Sequence, residues 1–179
     1  MDTRLGKVLK KLEEAKAKRE LSYDELIAVR KKEPGNISFT KIPTDILFKD
    51  HKDFINELIS TGDGSLLFIK DLDKYLTETE LLQFLKAKKD RKLKFDWSLD
   101  IPVSMLSDKV CDAIVEIGNP YLLNMLPEDY IIPKKAFEEF IKQKPTRITD
   151  EETLQRLKED LVDSKQMTEA EFSKLLDNI

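Results

Sequence analysis

The chain has 179 residues, 37% of them charged, and 35 acids nearly cancel 31 bases to leave a net charge of −4. That length suits one domain with enough interior to fold without a metal or disulfide, and the near balance of charge argues against a protein that coats nucleic acid all over. The single cysteine, Cys111, excludes an internal disulfide and fits a reducing compartment. No apolar run approaches the roughly 20 residues needed to cross a bilayer, so no membrane is expected. Met1-Asp2-Thr3-Arg4 offers no signal-peptide core, and the expected location is cytoplasmic.

Leu, Lys, Glu and Ala at helical spacing predict an all-α protein with at most one small two-stranded β element. The first helix is expected from Asp2 or Thr3 to about Arg19, with Leu5, Val8, Leu9 and Leu12 on one stripe. A second runs from about Tyr23 to Lys32 and stops before Pro34-Gly35. Residues 36–43 alternate weakly and read as extended. Asp50 to Thr61 forms a helix carrying Phe54, Ile55, Leu58 and Ile59, and Gly62 is placed to close it in the left-handed conformation. A short apolar helix over Ser65–Asp71 follows, and Thr77 opens another that reaches about Lys88. Leu93 to Ile101 alternates strictly, the period of a strand with one buried face, and would pair with Ile37–Ile42. Helices are then predicted over Asp108–Ile117, ending at Gly118-Asn119, over Pro120–Leu126, and over Pro133–Gln143 with proline in first position. Two more, about Asp150–Val162 and Glu169–Asp177, complete the chain.

Shifted by 56 residues, Lys52–Lys86 lies on Asp108–Lys142 without a gap. Twelve apolar positions coincide, among them Phe54/Val110, Ile55/Cys111, Leu58/Ile114, Ile59/Val115, Tyr75/Ile131 and Phe84/Phe140, and Gly62-Asp63 falls on Gly118-Asn119. Upstream, Ile42-Pro-Thr-Asp-Ile-Leu47 matches Ile101-Pro-Val-Ser-Met-Leu106 three residues out of that register. Any two amphipathic helices can be slid until their stripes agree; three helices and two turns in one register are harder to match by chance, and they read as a duplication. The expected organisation is an N-terminal helical pair (1–35), a duplicated core (36–143, units about 42–88 and 101–143) and a C-terminal helical pair (144–179) packed on that core. This pattern of helix, Gly-Asp or Gly-Asn turn and helix over Ile42–Gln143 resembles HEAT-like and related α-helical repeat folds. The resemblance implies stacked helical units and assigns no functional residue.

A smaller signature recurs as Leu21-Ser22-x-x-Glu25, Leu76-Thr77-x-x-Glu80 and Met167-Thr168-x-x-Glu171, with Ile148-Thr149-x-x-Glu152 sharing its first part. These are capping boxes, in which hydroxyl and glutamate each bond the backbone one turn away, so the hydroxyls read as helix starts.

Chemistry-bearing constellations are sparse. His51 is the sole histidine and Cys111 the sole thiol, which leaves a zinc site short of ligands and a catalytic triad without an orienting partner. Cys111 falls on an apolar stripe and reads as a small core residue. Asp71-Leu-Asp73 lacks the glycine and glutamate of a calcium loop, and Thr61-Gly-Asp-Gly-Ser65 lacks the lysine of a phosphate cradle. No cofactor motif is present. The strongest working surface is the basic run Lys86, Lys88, Lys89, Arg91, Lys92 and Lys94 followed by Phe95 and Trp97, where bases would meet phosphates and rings would stack. The leading expectation is a non-enzymatic module that binds another protein through stacked helices. Nucleic-acid binding through 86–94 is the alternative, and an enzyme whose residues the sequence does not reveal is the third.

Overall fold

The structure is a computed structural model and describes residues 20–91 and 100–177. The helix expected over 2–19 and most of the strand expected over 93–101 lie outside the described residues. Every regular element among those described is a helix or helical turn, and the chain is all-α. It divides into two compact parts, one ending at Ile42 and the other beginning at Pro43.

In the N-terminal part, α1 (Tyr23–Lys32) starts at a complete capping box: Ser22 Oγ accepts from the Glu25 N–H (3.3 Å) and Glu25 Oε2 accepts from the Ser22 N–H (2.9 Å). α1 packs against a 3-10 turn, Ser38–Lys41. This corrects the extended reading of 36–43, and with it the pairing of Ile37–Ile42 as a strand. Local side chains turn the backbone there: the Asn36 carboxamide oxygen accepts the Ser38 N–H (2.9 Å), and the Thr40 hydroxyl donates to the Ile37 carbonyl (2.8 Å). Such bonds offer the chain an alternative to a ladder.

The larger part begins with α2 (Thr44–Asp50), which the sequence reading did not anticipate, and α3 (Lys52–Thr61), separated by a non-helical His51 (φ −125°, ψ 34°). α3 ends at Gly62 in the left-handed region (φ 61°). A 3-10 turn, Gly64–Phe68, stands where a short helix was expected, its Ser65 N–H held by the Asp63 carboxylate (3.0 Å). A second turn, Leu72–Lys74, leads to α4 (Glu78–Arg91), capped by Thr77 and Glu80 as predicted (2.9 and 3.2 Å).

After a three-residue turn, Val103–Met105, come α5 (Asp108–Val115), Gly118 (φ 79°), a 3-10 turn Pro120–Met125 in place of the expected helix, and α6 (Lys134–Lys142). Pro133 is the cap of α6 and not its first residue. α7 (Glu151–Lys158) is capped by Asp150, one residue later than the Thr149 start suggested, because the Asp150 carboxylate takes the Thr153 N–H (2.8 Å). It runs on into a π-helical turn, Glu159–Asp163, and α8 (Glu169–Leu176) closes the order with its Thr168/Glu171 box.

α4 packs on α3 and α5, α5 on α6, and α6 on α8, while α7 lies on the 3-10 turn Pro120–Met125. The apolar stripes meet in one core, where Ile55, Leu66, Leu81, Phe84, Leu122, Phe137 and Phe140 are fully buried. Each such side chain removed from water contributes roughly 1.5–3 kcal/mol, so this burial is the main stabilising term.

Candidate interaction surface

The described lysines of the basic run, Lys86, Lys88 and Lys89, do not share one surface. On α4 successive residues point in different directions. Lys86 is exposed, whereas Lys88 is 4% exposed with its ammonium 5.4 Å from the centre of the Phe84 ring. Lys89 reaches across to Glu116 (2.9 Å) and towards Glu139 (3.8 Å), tying α4 to α5 and α6. The bond from Lys142 holds Glu139 below the usual carboxylate range, and Lys89 adds to that. Arg91 is the last residue of α4, and Lys92 and Lys94 lie outside the described residues.

Exposed apolar residues include Phe68, Val103 and Tyr121, and, at matched positions in the links that precede the third helices, Tyr75 and Ile131. Tyr75, just before α4, is 38% exposed, and Ile131, just before α6, is 57% exposed. Both are followed by a buried residue, Leu76 and Ile132. The Tyr75 ring stacks on Phe48 of α2 at 5.4 Å. Lys52 completes this edge: its ammonium lies 5.0 Å from the Phe48 centroid and 2.6 Å from Glu80 Oε1. Burial pushes the Glu80 pKa up, but the bonds from Lys52 and Thr77 outweigh it and leave it below the ordinary value.

Around Ile131 the backbone is held firmly. The Tyr130 hydroxyl donates to Asp112, and burial followed by that bond pushes the phenol far up. The Ile132 N–H donates to Asp160 (3.2 Å). Arg156 of α7 gathers four carbonyls of the same link, Leu123 (3.4 Å), Leu126 (3.1 Å), Pro127 (2.6 Å) and Tyr130 (3.1 Å). Gln166 accepts from the Lys134 N–H (2.8 Å) and donates to the Ile132 carbonyl (3.0 Å). The C-terminal elements thus fix the link that presents Ile131.

A small apolar cleft of about 20 Å³, lined by Ile101, Leu106, Ile114 and Met125, opens beside α5. It has room for about one water and no polar side chain to hold one. Cys111 is buried, and desolvation, with Asp108 and Asp112 nearby, pushes its thiol up to about 11, the opposite of a reactive setting. His51 is half-buried at the break between α2 and α3. Asp71 of the rejected calcium loop is paired with Lys74 (2.8 Å).

Among the described residues, no three His, Cys, Asp or Glu side chains are grouped to hold a metal ion, and no helix is long and apolar enough to cross a membrane. Sequence reasoning passed over Tyr75 and Ile131 as surface residues. Their signal was present, an apolar pair at matched positions in a link and not in a helix stripe.

In comparison with known proteins, no family, no curated protein and no solved structure matches the chain.

Proposed function

We propose that the chain is a non-enzymatic, cytoplasmic interaction module in which two equivalent helical units, about 42–88 and 101–143, stack in HEAT-like fashion and hold a partner protein. Equivalence is supported by register. α3 and α5, the two 3-10 turns and α4 and α6 begin at Lys52 and Asp108, Gly64 and Pro120, and Glu78 and Lys134, each pair 56 residues apart. Backbone bonds recur at the same shift: Gly62 to Ile59 and Gly118 to Val115 (3.0 and 3.1 Å), Leu66 to Asp63 and Leu122 to Asn119 (3.0 and 3.1 Å), and Lys74 to Asp71 and Tyr130 to Pro127 (3.0 and 3.2 Å). Gly62 approaches Ala87 and Lys88 inside α4, and Gly118 approaches Gln143 at the end of α6.

The observation that carries the function is the matched exposure of Tyr75 and Ile131. A scattered surface apolar residue means little, but the same position left apolar and exposed in two stacked units describes a repeated contact row. The engagement of Lys88 and Lys89 within the protein favours this reading over a phosphate-binding run.

A photo-crosslinking residue placed at Tyr75, at Ile131 and at the exposed control Lys165 tests it in cells. Protein adducts of one common mass from the first two positions, absent from the third, are expected. No adduct, or the same adducts from Lys165, sinks the reading. Mobility shift of RNA and DNA across a salt series tests the alternative, since phosphate contacts weaken steeply with salt.

A further inference from the structure

We propose that Thr149 is a phosphorylation site, taking the γ-phosphoryl group of ATP from a serine/threonine kinase that reads acidic residues on the C-terminal side of its target. Thr149 lies beyond both helical units, and neither the contact row nor its partner is needed for this modification.

Among the described residues, a hydroxyl with an acid three places on occurs at Ser22, Ser60, Thr77, Thr149 and Thr168. Folding engages all of these hydroxyls but one. Ser22, Thr77 and Thr168 stand at the starts of α1, α4 and α8 and accept the N–H of Glu25 (3.3 Å), Glu80 (3.2 Å) and Glu171 (3.2 Å). Each of those glutamates turns back to the N–H of its cap residue (2.9, 2.9 and 2.8 Å), so the acid is engaged together with the hydroxyl. Ser60 sits inside α3 and donates to the Glu57 carbonyl (3.2 Å). Thr149 is the exception. Asp150 caps α7 in its place, its carboxylate taking the Thr153 N–H (2.8 Å). The Thr149 side chain is left exposed and forms no hydrogen bond among the described residues.

The surroundings of this hydroxyl suit a kinase cleft. Residues 144–150 form no helix or strand; Pro145 and Ile148 are buried, while Thr146, Arg147, Thr149 and Asp150 are exposed. A hydroxyl placed there reaches an outside active site without a helix being unwound around it. Downstream, Asp150, Glu151 and Glu152 are all exposed, three carboxylates on the side that such a kinase reads with its own lysines and arginines. The nearest base in sequence, Arg147, lies on the other side of the target. In the transfer the Thr149 Oγ1 attacks the γ-phosphorus, the bond to the β-phosphate oxygen breaks and ADP leaves. The hydroxyl proton passes to the catalytic aspartate of the kinase.

The test incubates the full chain with ATP, magnesium and a casein-kinase-type enzyme already shown to phosphorylate a synthetic Thr146–Gln155 peptide. Sites are mapped by mass spectrometry. Each rate is divided by that of a short peptide around the same hydroxyl, which removes the sequence preference of the kinase itself. That ratio should be at least about fivefold higher for Thr149 than for Ser22, Thr77 or Thr168, because those hydroxyls must first give up a cap. Thr149→Ala should remove the phosphate and leave the urea unfolding midpoint unchanged, and Thr149→Ser should restore the phosphate. Glu152→Gln should slow transfer to Thr149 in the protein and in the peptide alike. No phosphate at Thr149 in the folded chain, equal ratios at all four hydroxyls, or unchanged transfer in Glu152→Gln overturns the proposal. A midpoint lowered by Thr149→Ala overturns it too, since the hydroxyl is then engaged in the fold like the others.

Discussion

The stretches Lys52–Arg91 and Asp108–Lys142 turn the same corner with the same residue, and the helix that follows crosses each corner closely. Gly62 and Gly118 both hold a positive φ, which a side chain adopts at a cost of about 1–2 kcal/mol. What crosses each glycine differs. A Cβ on Gly62 would lie 2.6 Å from the Lys88 amide nitrogen, inside α4, where the backbone is held by helix bonds on both sides. A Cβ on Gly118 would lie 2.3 Å from the Gln143 Cβ and 3.3 Å from the Phe140 carbonyl oxygen, at the end of α6. The close approach, not the turn alone, decides how strictly glycine is required. Gly62→Ala and Gly118→Ala should therefore each lower the unfolding free energy by about 2–4 kcal/mol, strain and overpacking together. Urea unfolding of the two variants decides it, and a loss limited in either to the strain of about 1–2 kcal/mol would show that the crossing helix gives way there.

The links that follow are secured by different means. In the second stretch the Arg156 guanidinium collects the carbonyls of Leu126, Pro127 and Tyr130. In the first, the Lys70 carbonyl takes one hydroxyl, that of Thr44 (2.9 Å), and the Asp71 carbonyl takes the Lys74 N–H. Bonds to a charged group are worth about 1.5–3 kcal/mol and a neutral one about 1 kcal/mol. Arg156→Met should thus destabilise by roughly 2–3 kcal/mol, and Thr44→Val by no more than about 1 kcal/mol. Hydrogen exchange sharpens the contrast: the Tyr130 and Ile132 amides should lose protection in Arg156→Met, while Lys74 keeps its own. Equal losses at both links would mean that α7 stabilises the whole core and not this link.

These contrasts also show what the sequence could and could not reveal. Helical periodicity and capping boxes located α1, α4 and α8 closely, because those signals are local: an apolar stripe, a hydroxyl and a glutamate three residues on. Gly62 was legible for the same reason. α2 was missed because its seven residues, begun by Pro43 without a side-chain cap, carry too short a stripe to separate from the helix that follows. Residues 36–43 were misread as extended, since the Asn36 and Thr40 bonds that curl them do not alter the hydropathy pattern. The described lysines of the basic run show a further limit of composition. Composition cannot say that Lys88 folds back over Phe84 or that Lys89 finds Glu116, residues distant in sequence from it or hidden by the helix turn. Tyr75 and Ile131 became distinct only once their neighbours Leu76 and Ile132 were seen to be buried.

The smallest contrast lies in how the two links respond to acid. Burial raises the pKa of Glu80, but Lys52 and Thr77 more than compensate, so its folded pKa lies below the ordinary 4.5. The folded state holds the ionised form more tightly than the unfolded state does. That contribution is complete above the unfolded pKa and is lost as pH falls through the lower, folded one. Asp160 behaves in reverse. Burial raises its pKa above the ordinary 3.8, and the Ile132 N–H and Arg156 only partly offset it. The folded state then binds the proton more tightly, so Asp160 favours folding as pH drops through its folded pKa and opposes it above. Glu80→Gln should flatten the acid loss of stability below pH about 4.5, whereas Asp160→Asn should steepen the decline on acidification by removing a term of opposite sign. Unfolding midpoints of the two variants across the carboxylate range, with the carboxyl carbons followed by NMR, measure both signs directly. If Asp160 titrates below 3.8, Arg156 and the Ile132 N–H together outweigh burial, and the contrast between the two links disappears.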